Sequence, residues 1–188
     1  MRTVGFGAPR KGWGGLSNFR ESKIEVDGET WPSVEHYYQA QKLVDPAARK
    51  QVRQAAGPGV AKRLAYELVA AQGGLPAEWE ALREEVMLAG LRAKFTQNVA
   101  LRGLLLASGE APLAEYSAND QYWAMQRDGV GQNRLGALLM QVREEVRMTM
   151  SSDPLGVKEN AELLQWVVAR EPGKLRWQPW LARRRARP

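Results

Sequence analysis

Hydrophobic positions recur along this chain in two rhythms, and the breaks between them fall at proline and glycine. Thr3 to Phe6 reads as a short strand, followed by a glycine-rich irregular loop around Trp13. Lys23 to Val26 alternates polar and apolar residues, Asp27-Gly28 is a two-residue turn signal, and Glu29 to Trp31 resumes the extended pattern, which predicts a hairpin. Pro32 then stops the strand, Ser33 is placed to cap a helix, and helical spacing continues to about Val44. Asp45-Pro46 opens a second helix with Ala47, Val52 and Ala55 on one face, broken by Gly57-Pro58-Gly59, and a third fits Val60 to Ala71. Ala77 to Asn98 is the most strongly periodic stretch, with Trp79, Leu82, Val86, Ala89 or Gly90, and Ala93 as its apolar stripe. A short helix is expected over Leu101 to Ser108 and a strand over Leu113 to Tyr116. Ser117 to Gln132 is polar and punctuated, and a loop of that length inside a compact domain is more often functional than not. Asn133 is placed to cap a helix whose stripe is Leu135, Leu138, Leu139, Val142 and Val146. Beyond Pro154, Glu159 to Ala169 fits one more helix, while Lys174 to Pro188 has no helical order; no internal repeat is present.

At 188 residues with 44% hydrophobic content, the chain suits one well-buried domain, residues 1–150, followed by an extension over 151–188. No apolar run reaches the length of a membrane span and the N-terminal stretch lacks a signal-peptide core, so a cytoplasmic protein without membrane association is expected. Cysteine is absent, which excludes disulfides and thiol catalysis, and with a single histidine, His36, any zinc site would have to be built mostly from carboxylates; no metal and no cofactor are expected, although composition leaves carboxylate-bound magnesium open. The early glycines lack the Walker spacing and its Gly-Lys-Ser/Thr end, so they read as turn formers rather than a phosphate loop. Charge is uneven. Residues 1–150 hold 19 Lys and Arg against 17 Asp and Glu, and residues 151–188 hold 8 against 4, so the extension carries +4 of the net +6. Such a segment suits phosphate-rich partners, nucleic acid among them, and suits equally a solvated tail.

With a helix starting at Ser33, Glu35, Gln39 and Lys42 fall at i, i+4 and i+7 on one face. If that face looks into a cleft, its carboxylate can move protons and its amine can attack an electrophilic carbon; if it looks into water, it is an ordinary polar surface.

Five blocks in order resemble the NADAR superfamily, the group of YbiA-like N-glycosidases. They are Leu16-Ser17-Asn18-Phe19; Trp31 with Glu35-His36-Tyr37-Tyr38-Gln39-Ala40-Gln41-Lys42; Lys94-Phe95; Leu113-Ala114-Glu115 with Asp120 and Trp123; and Gly131-Gln132-Asn133-Arg134-Leu135-Gly136 running into Leu139-Met140 and Arg143. The resemblance implies an α+β fold, a mainly α-helical single domain with a small antiparallel β-sheet. It also implies cleavage of an N-glycosidic bond to ribose, with either ADP-ribosylated guanine in nucleic acid or a phosphoribosylamino-pyrimidine intermediate of riboflavin synthesis as substrate; the basic extension favours the first. Carried onto this sequence, Lys42 is the nucleophile forming a Schiff base with the opened ribose. Glu35 is its acid/base partner or a contact for ribose hydroxyls, and Asp120 is a second carboxylate that orients a hydroxyl or steadies developing positive charge.

Around them, Ser17, Asn18, Phe19, His36, Gly131 and Asn133 are expected at the substrate, with Trp31 and Trp123 as stacking rings and Arg20 and Arg134 as phosphate contacts. For several the bland role is open: core packing for Trp31, a cap for Asn133, surface charges for the arginines, and an Asp bound to its own backbone for Asp120. One departure stands out. The family usually has glycine after the tryptophan at Trp123, where this chain has Ala124, which matters if that position needs positive φ. The alternatives to an enzyme are a non-catalytic ADP-ribose or nucleic-acid binding module that has kept the pocket, and an interaction protein working through its tail.

Overall fold

The structure, a computed structural model, describes residues 3–7 and 12–151. Four strands, β1 (Val4–Phe6), β2 (Ile24–Val26), β3 (Glu29–Trp31) and β4 (Leu113–Glu115), accompany six helices, α1 (Val34–Ala40), α2 (Pro46–Arg53), α3 (Pro58–Ala71), α4 (Trp79–Gln97), α5 (Val99–Ala107) and α6 (Arg134–Ser151). A 3₁₀ turn spans Gly12–Leu16. The helix expected over Glu159 to Ala169 and the basic extension lie outside the described residues. None of the described helices is long and apolar enough to cross a membrane.

The hairpin is present as expected, with β2 antiparallel to β3 and Ile24 opposite Trp31. Its turn works because Asp27 and Gly28 both take positive φ, 53° and 75°, the hand that matches strand twist. A second pair joins β1 to β4 in parallel, with Val4 opposite Leu113. Only a long crossover can connect parallel neighbours, and here the crossover is nearly the whole domain.

Each helix start has a local cause. The Ser33 side chain accepts the His36 amide, and the Asp45 carboxylate accepts the amides of Ala47 and Ala48 ahead of Pro46. Helix α1 is shorter than the pattern predicted, ending at Ala40, so Lys42 sits in the turn that follows, its amide bonded to the Gln39 carbonyl at 3.3 Å. Every side chain of α1 is buried, because α2, α3 and α4 all pack against it. Two stripes differ from the expected ones. In α2 the buried small residue is Ala48, not Ala47. In α4, Leu82 is 40% exposed and the covered residues are Trp79, Met87, Gly90, Leu91, Ala93, Lys94 and Phe95. Helix α4 meets α1, α5, α6 and β2, so several sides are covered and a single 3.6-residue stripe does not describe it. Gly90 is the contact point with α1: a methyl there would lie 3.0 Å from Val34 Cγ1 and 3.1 Å from the Tyr37 ring. The α6 stripe is buried as expected, from Leu135 to Val146.

Candidate active site

The site grows from the buried face of α1. Glu35 is 5% exposed and its Oε1 accepts a 2.8 Å hydrogen bond from Gln39 Nε2, the residue one turn on. Lys42, 9% exposed, extends among three rings, with Nζ 4.9 Å from the centre of Tyr38, 5.2 Å from Tyr66 and 5.8 Å from Trp79. Burial lowers the Lys42 pKa to about 8; the Glu35 carboxylate pulls it upward, and the ammonium of Lys62 on α3 pushes it down again. The same desolvation raises Glu35, against the hydrogen bond from Gln39 and the nearby Lys62 and Lys42. Burial therefore drives both groups toward their neutral forms, an amine with a free lone pair and a carboxylic acid with a proton to give. The opposition between Glu35 and the lowering of Lys42 is real, and desolvation outweighs it.

The loop after β4 delivers a second carboxylate. Asp120 folds back on its own chain through Oδ1, which accepts the amides of Tyr122 at 3.1 Å and Trp123 at 2.8 Å, while Oδ2 has no hydrogen-bond partner among the described residues. Its charge acts on both Glu35 and Lys42, so the backbone-turn role and a place at the site coexist. The Trp123 indole donates to the Tyr38 hydroxyl at 3.2 Å and packs edge-on to the Tyr38 and Tyr122 rings, tying the loop to the ring that flanks Lys42.

The loop itself is pinned by Glu84 on α4. Its carboxylate takes a bidentate pair from Arg134, at 2.7 and 2.6 Å, and a hydrogen bond from the Tyr122 hydroxyl, and these two donors hold its pKa down at about 2. Arg134, expected at a phosphate, is thus occupied as a loop anchor. Asn133 also differs from expectation. With φ of 50°, its side chain accepts from Glu115 N at 3.1 Å and donates to Leu113 O at 2.9 Å, so it braces β4. Gly131 is a backbone crossing rather than a ligand cradle: φ is 125°, and a methyl there would sit 2.6 Å from the Ala124 carbonyl oxygen. Ala124 is fully buried and outside the positive-φ region, so the departure from glycine places no strain on the loop.

Ser17 and Asn18 form the wall next to Glu35. The Asn18 carbonyl accepts the Glu35 amide at 3.3 Å, its Nδ2 meets Met87 Sδ at 3.1 Å, and its buried Oδ1 has no partner; Gln39 Oε1 is likewise buried and unpaired. Ser17 Oγ accepts the Phe19 amide, and Ser17 O takes a 2.8 Å bond from Lys94 Nζ. Phe19 is half-buried with Lys62 Nζ 5.8 Å from its ring centre, whereas Arg20 is exposed. Two expected contacts face elsewhere. His36, fully buried, is held between Ser33 Oγ and the Ala55 carbonyl. Trp31 packs edge-on to Tyr37 beneath Arg53, at a groove of about 300 Å³ that Arg49 and Lys50 also line.

Several site residues escape the pattern reading. Lys94 is fully buried, and desolvation lowers its pKa to about 7. Glu115 on β4 is raised to about 7, first by desolvation and then by Glu35 and Asp120. Both stand in the blocks quoted above, but nothing in their spacing assigns a role. Tyr38, Trp79, Tyr66 and Lys62 are fixed only by tertiary packing, although Lys62 and Tyr66 at i, i+4 on α3 share a face.

An amine and a carboxyl buried together, each pushed by desolvation toward its neutral form, with two further carboxylates nearby, define a site for nucleophilic and acid–base chemistry at a carbon centre. The NADAR domain model matches residues 6–147. N-glycosidase YbiA of Escherichia coli is 43% identical over 143 residues, covering 76% of this chain and 88% of that protein. A riboflavin biosynthesis protein of Vibrio vulnificus is 42% identical over 142 residues, covering 76% of this chain and 38% of that one, and an N-glycosidase of Nostoc punctiforme is 34% identical, covering 74% and 89%. The NMR structure of E. coli YbiA superposes with a TM-score of 0.71 at 42% identity, over 79% of this chain and 86% of that one. The chain belongs to the NADAR family. It is an enzyme of the N-glycosidase class, a hydrolase acting on N-glycosyl bonds.

Proposed function

We propose that this enzyme hydrolyses an N-ribosyl bond through a Schiff base on Lys42. The observation that carries the reading is the joint burial of Lys42 and Glu35, which favours the neutral amine and the protonated acid together. Neutral Nζ forms a bond to C1′, the C1′–O4′ bond breaks with its electron pair going to the ring oxygen, and Glu35 supplies the proton that oxygen takes. The Lys42 nitrogen then loses a proton to the Glu35 carboxylate. Its lone pair expels the base, whose nitrogen leaves with the C1′–N electron pair and takes that proton back from Glu35, and an iminium remains. Water adds at C1′, and loss of the amine returns free Lys42 and an open-chain ribose. The three rings around Nζ suit this path because their faces stabilise an iminium as they do an ammonium. The unpaired buried acceptors Asn18 Oδ1 and Gln39 Oε1 suit a ligand rich in hydroxyl donors, as an opened ribose is.

Two substrates share this electrophile. The names of the V. vulnificus and Zea mays relatives place those proteins in riboflavin biosynthesis, which supports a phosphoribosylamino-pyrimidine. The basic segment over 151–188 supports ADP-ribosylated guanine in nucleic acid instead. Offering both to the full chain and following base release decides between them. Borohydride added during turnover should trap an adduct that Lys42→Ala lacks. Binding of either compound without release would return the chain to a binding module, and an adduct persisting in Lys42→Ala would move the nucleophile elsewhere.

A further inference from the structure

We propose that Tyr66 is the stacking platform for the departing base and that Lys62, one turn before it on α3, receives an anionic group of the substrate, so the ligand class is a planar N-heterocyclic riboside that carries negative charge. The proposal rests on the Lys42 reading above. At the moment of attack the leaving nitrogen and Nζ are bonded to the same carbon, so the base has to lie against whatever surrounds Nζ. Three rings do so. Tyr38 and Trp79 are each 4% exposed, packed on one another with centroids 5.3 Å apart, and have no free face. Tyr66 is 57% exposed, joins no ring pair among the described residues, and its centre lies 5.2 Å from Nζ. An exposed aromatic beside a buried nucleophile contributes little to the core of α3, whose covered residues are Ala61 and Ala65. Its open face is available to a flat ring arriving from solvent.

Lys62 shares that face of α3 at i, i+4 and forms no ion pair among the described residues. Its ammonium stands near the Phe19 ring and acts electrostatically on Glu35, Lys42 and Glu115, which puts it within reach of the same group of residues. A lysine so placed attracts an anion while opposing protonation of its neighbour.

The test uses three probes with the full chain, two mononucleotides and one sugar phosphate without a base. Guanosine 5′-monophosphate and cytidine 5′-monophosphate supply base and phosphate, and ribose 5-phosphate supplies phosphate without a base. In calorimetric titration, Tyr66→Ala should weaken mononucleotide binding roughly tenfold, within the range a single stacked ring contributes. Tyr66→Phe should stay within about twofold of wild type. Ribose 5-phosphate binding should change by less than about threefold in Tyr66→Ala, well short of the mononucleotide effect, and should be weakened by Lys62→Met, with a flatter dependence on salt. Melting temperature of Tyr66→Ala should match wild type, since the ring is exposed. Absence of mononucleotide binding in wild type, or equal effects of Tyr66→Ala on all three probes, overturns the platform. Undiminished ribose 5-phosphate binding in Lys62→Met overturns the anion contact. Borohydride trapping of ribose 5-phosphate on Lys42 reports on the Schiff-base reading separately: its failure alongside Tyr66-dependent mononucleotide binding removes the Lys42 chemistry and leaves the platform standing.

Discussion

Replacing Lys42 by methionine should abolish trapping and make the protein more stable. The native fold lowers this amine from the ordinary 10.5 to about 8 chiefly by desolvation. At about 1.4 kcal/mol for each tenfold change in proton affinity, the folded state at neutral pH gives up roughly 3 kcal/mol to hold the charge there. Methionine has similar length and no charge. It also forfeits the attraction of three ring faces, which leaves a net gain of about 2 kcal/mol. For a chain of this size that is a rise in melting temperature of roughly 4–8 °C. The sign of the pH dependence follows from where the proton sits. Below pH 8 the lysine is protonated in both states and the whole penalty applies. Between 8 and 10.5 the unfolded chain holds the proton and the folded chain does not, so wild-type stability climbs with pH; above 10.5 the penalty is gone. Thermal melts of both proteins at pH 7 and pH 10 measure this, and the gap should shrink to under about 1 kcal/mol at the higher pH. A methionine variant less stable than wild type at pH 7, or a gap that does not change with pH, would refute the reasoning.

Three further outcomes follow from the geometry. The rate of imine formation should rise with pH through a limb near pH 8 set by Lys42, and Lys62→Met should move that limb to higher pH because it removes a like charge; pH–rate profiles of trapping check the direction. Glu84→Gln should lose about 1–2 kcal/mol in urea unfolding and lower kcat/KM roughly tenfold, since Arg134 and Tyr122 lose the acceptor that holds the Asp120 loop. Gly136→Ala should lower stability by about 3 kcal/mol in the same assay, because the new methyl would press on the Leu113 carbonyl and the Asn133 amide that brace β4.

Local signals in the sequence located most of the elements. The Asp27-Gly28 turn, the Ser33 and Asp45 caps and the α6 stripe each have a cause confined to a few neighbouring residues, and each is where the pattern placed it. The parallel β1–β4 pair has no such signal, since strands of three residues far apart in sequence do not announce their partner. The site divides the same way. Glu35, Gln39 and Lys42 are legible as one helical row, although the helix ends before Lys42. Tyr66 and Lys62 reach the row only through packing of α3, Lys94 reaches Ser17 and Glu115 only through packing of α4, and a lone exposed tyrosine or a lysine on a helix looks like surface until its neighbours are known. Trp31, His36 and Arg134 are the converse case. They are conspicuous as residue types, yet the side chains are committed to Tyr37 and Arg53, to Ser33 and Ala55, and to Glu84.

The β1–β4 pairing also sets the order in which this molecule is built. Val4 waits for Leu113, 113 − 4 = 109 positions later, which at ribosomal speeds of about 5–20 residues per second is a delay of roughly 5–20 s. The rings around Lys42, from Tyr38, Tyr66 and Trp79, are all made well before Leu113, whereas Glu115 and Asp120 follow it. A growing chain therefore holds the aromatic surroundings of its amine before it holds the carboxylates of the later loop. The candidate site is complete only when the strand that pairs with β1 and the loop after it have been added.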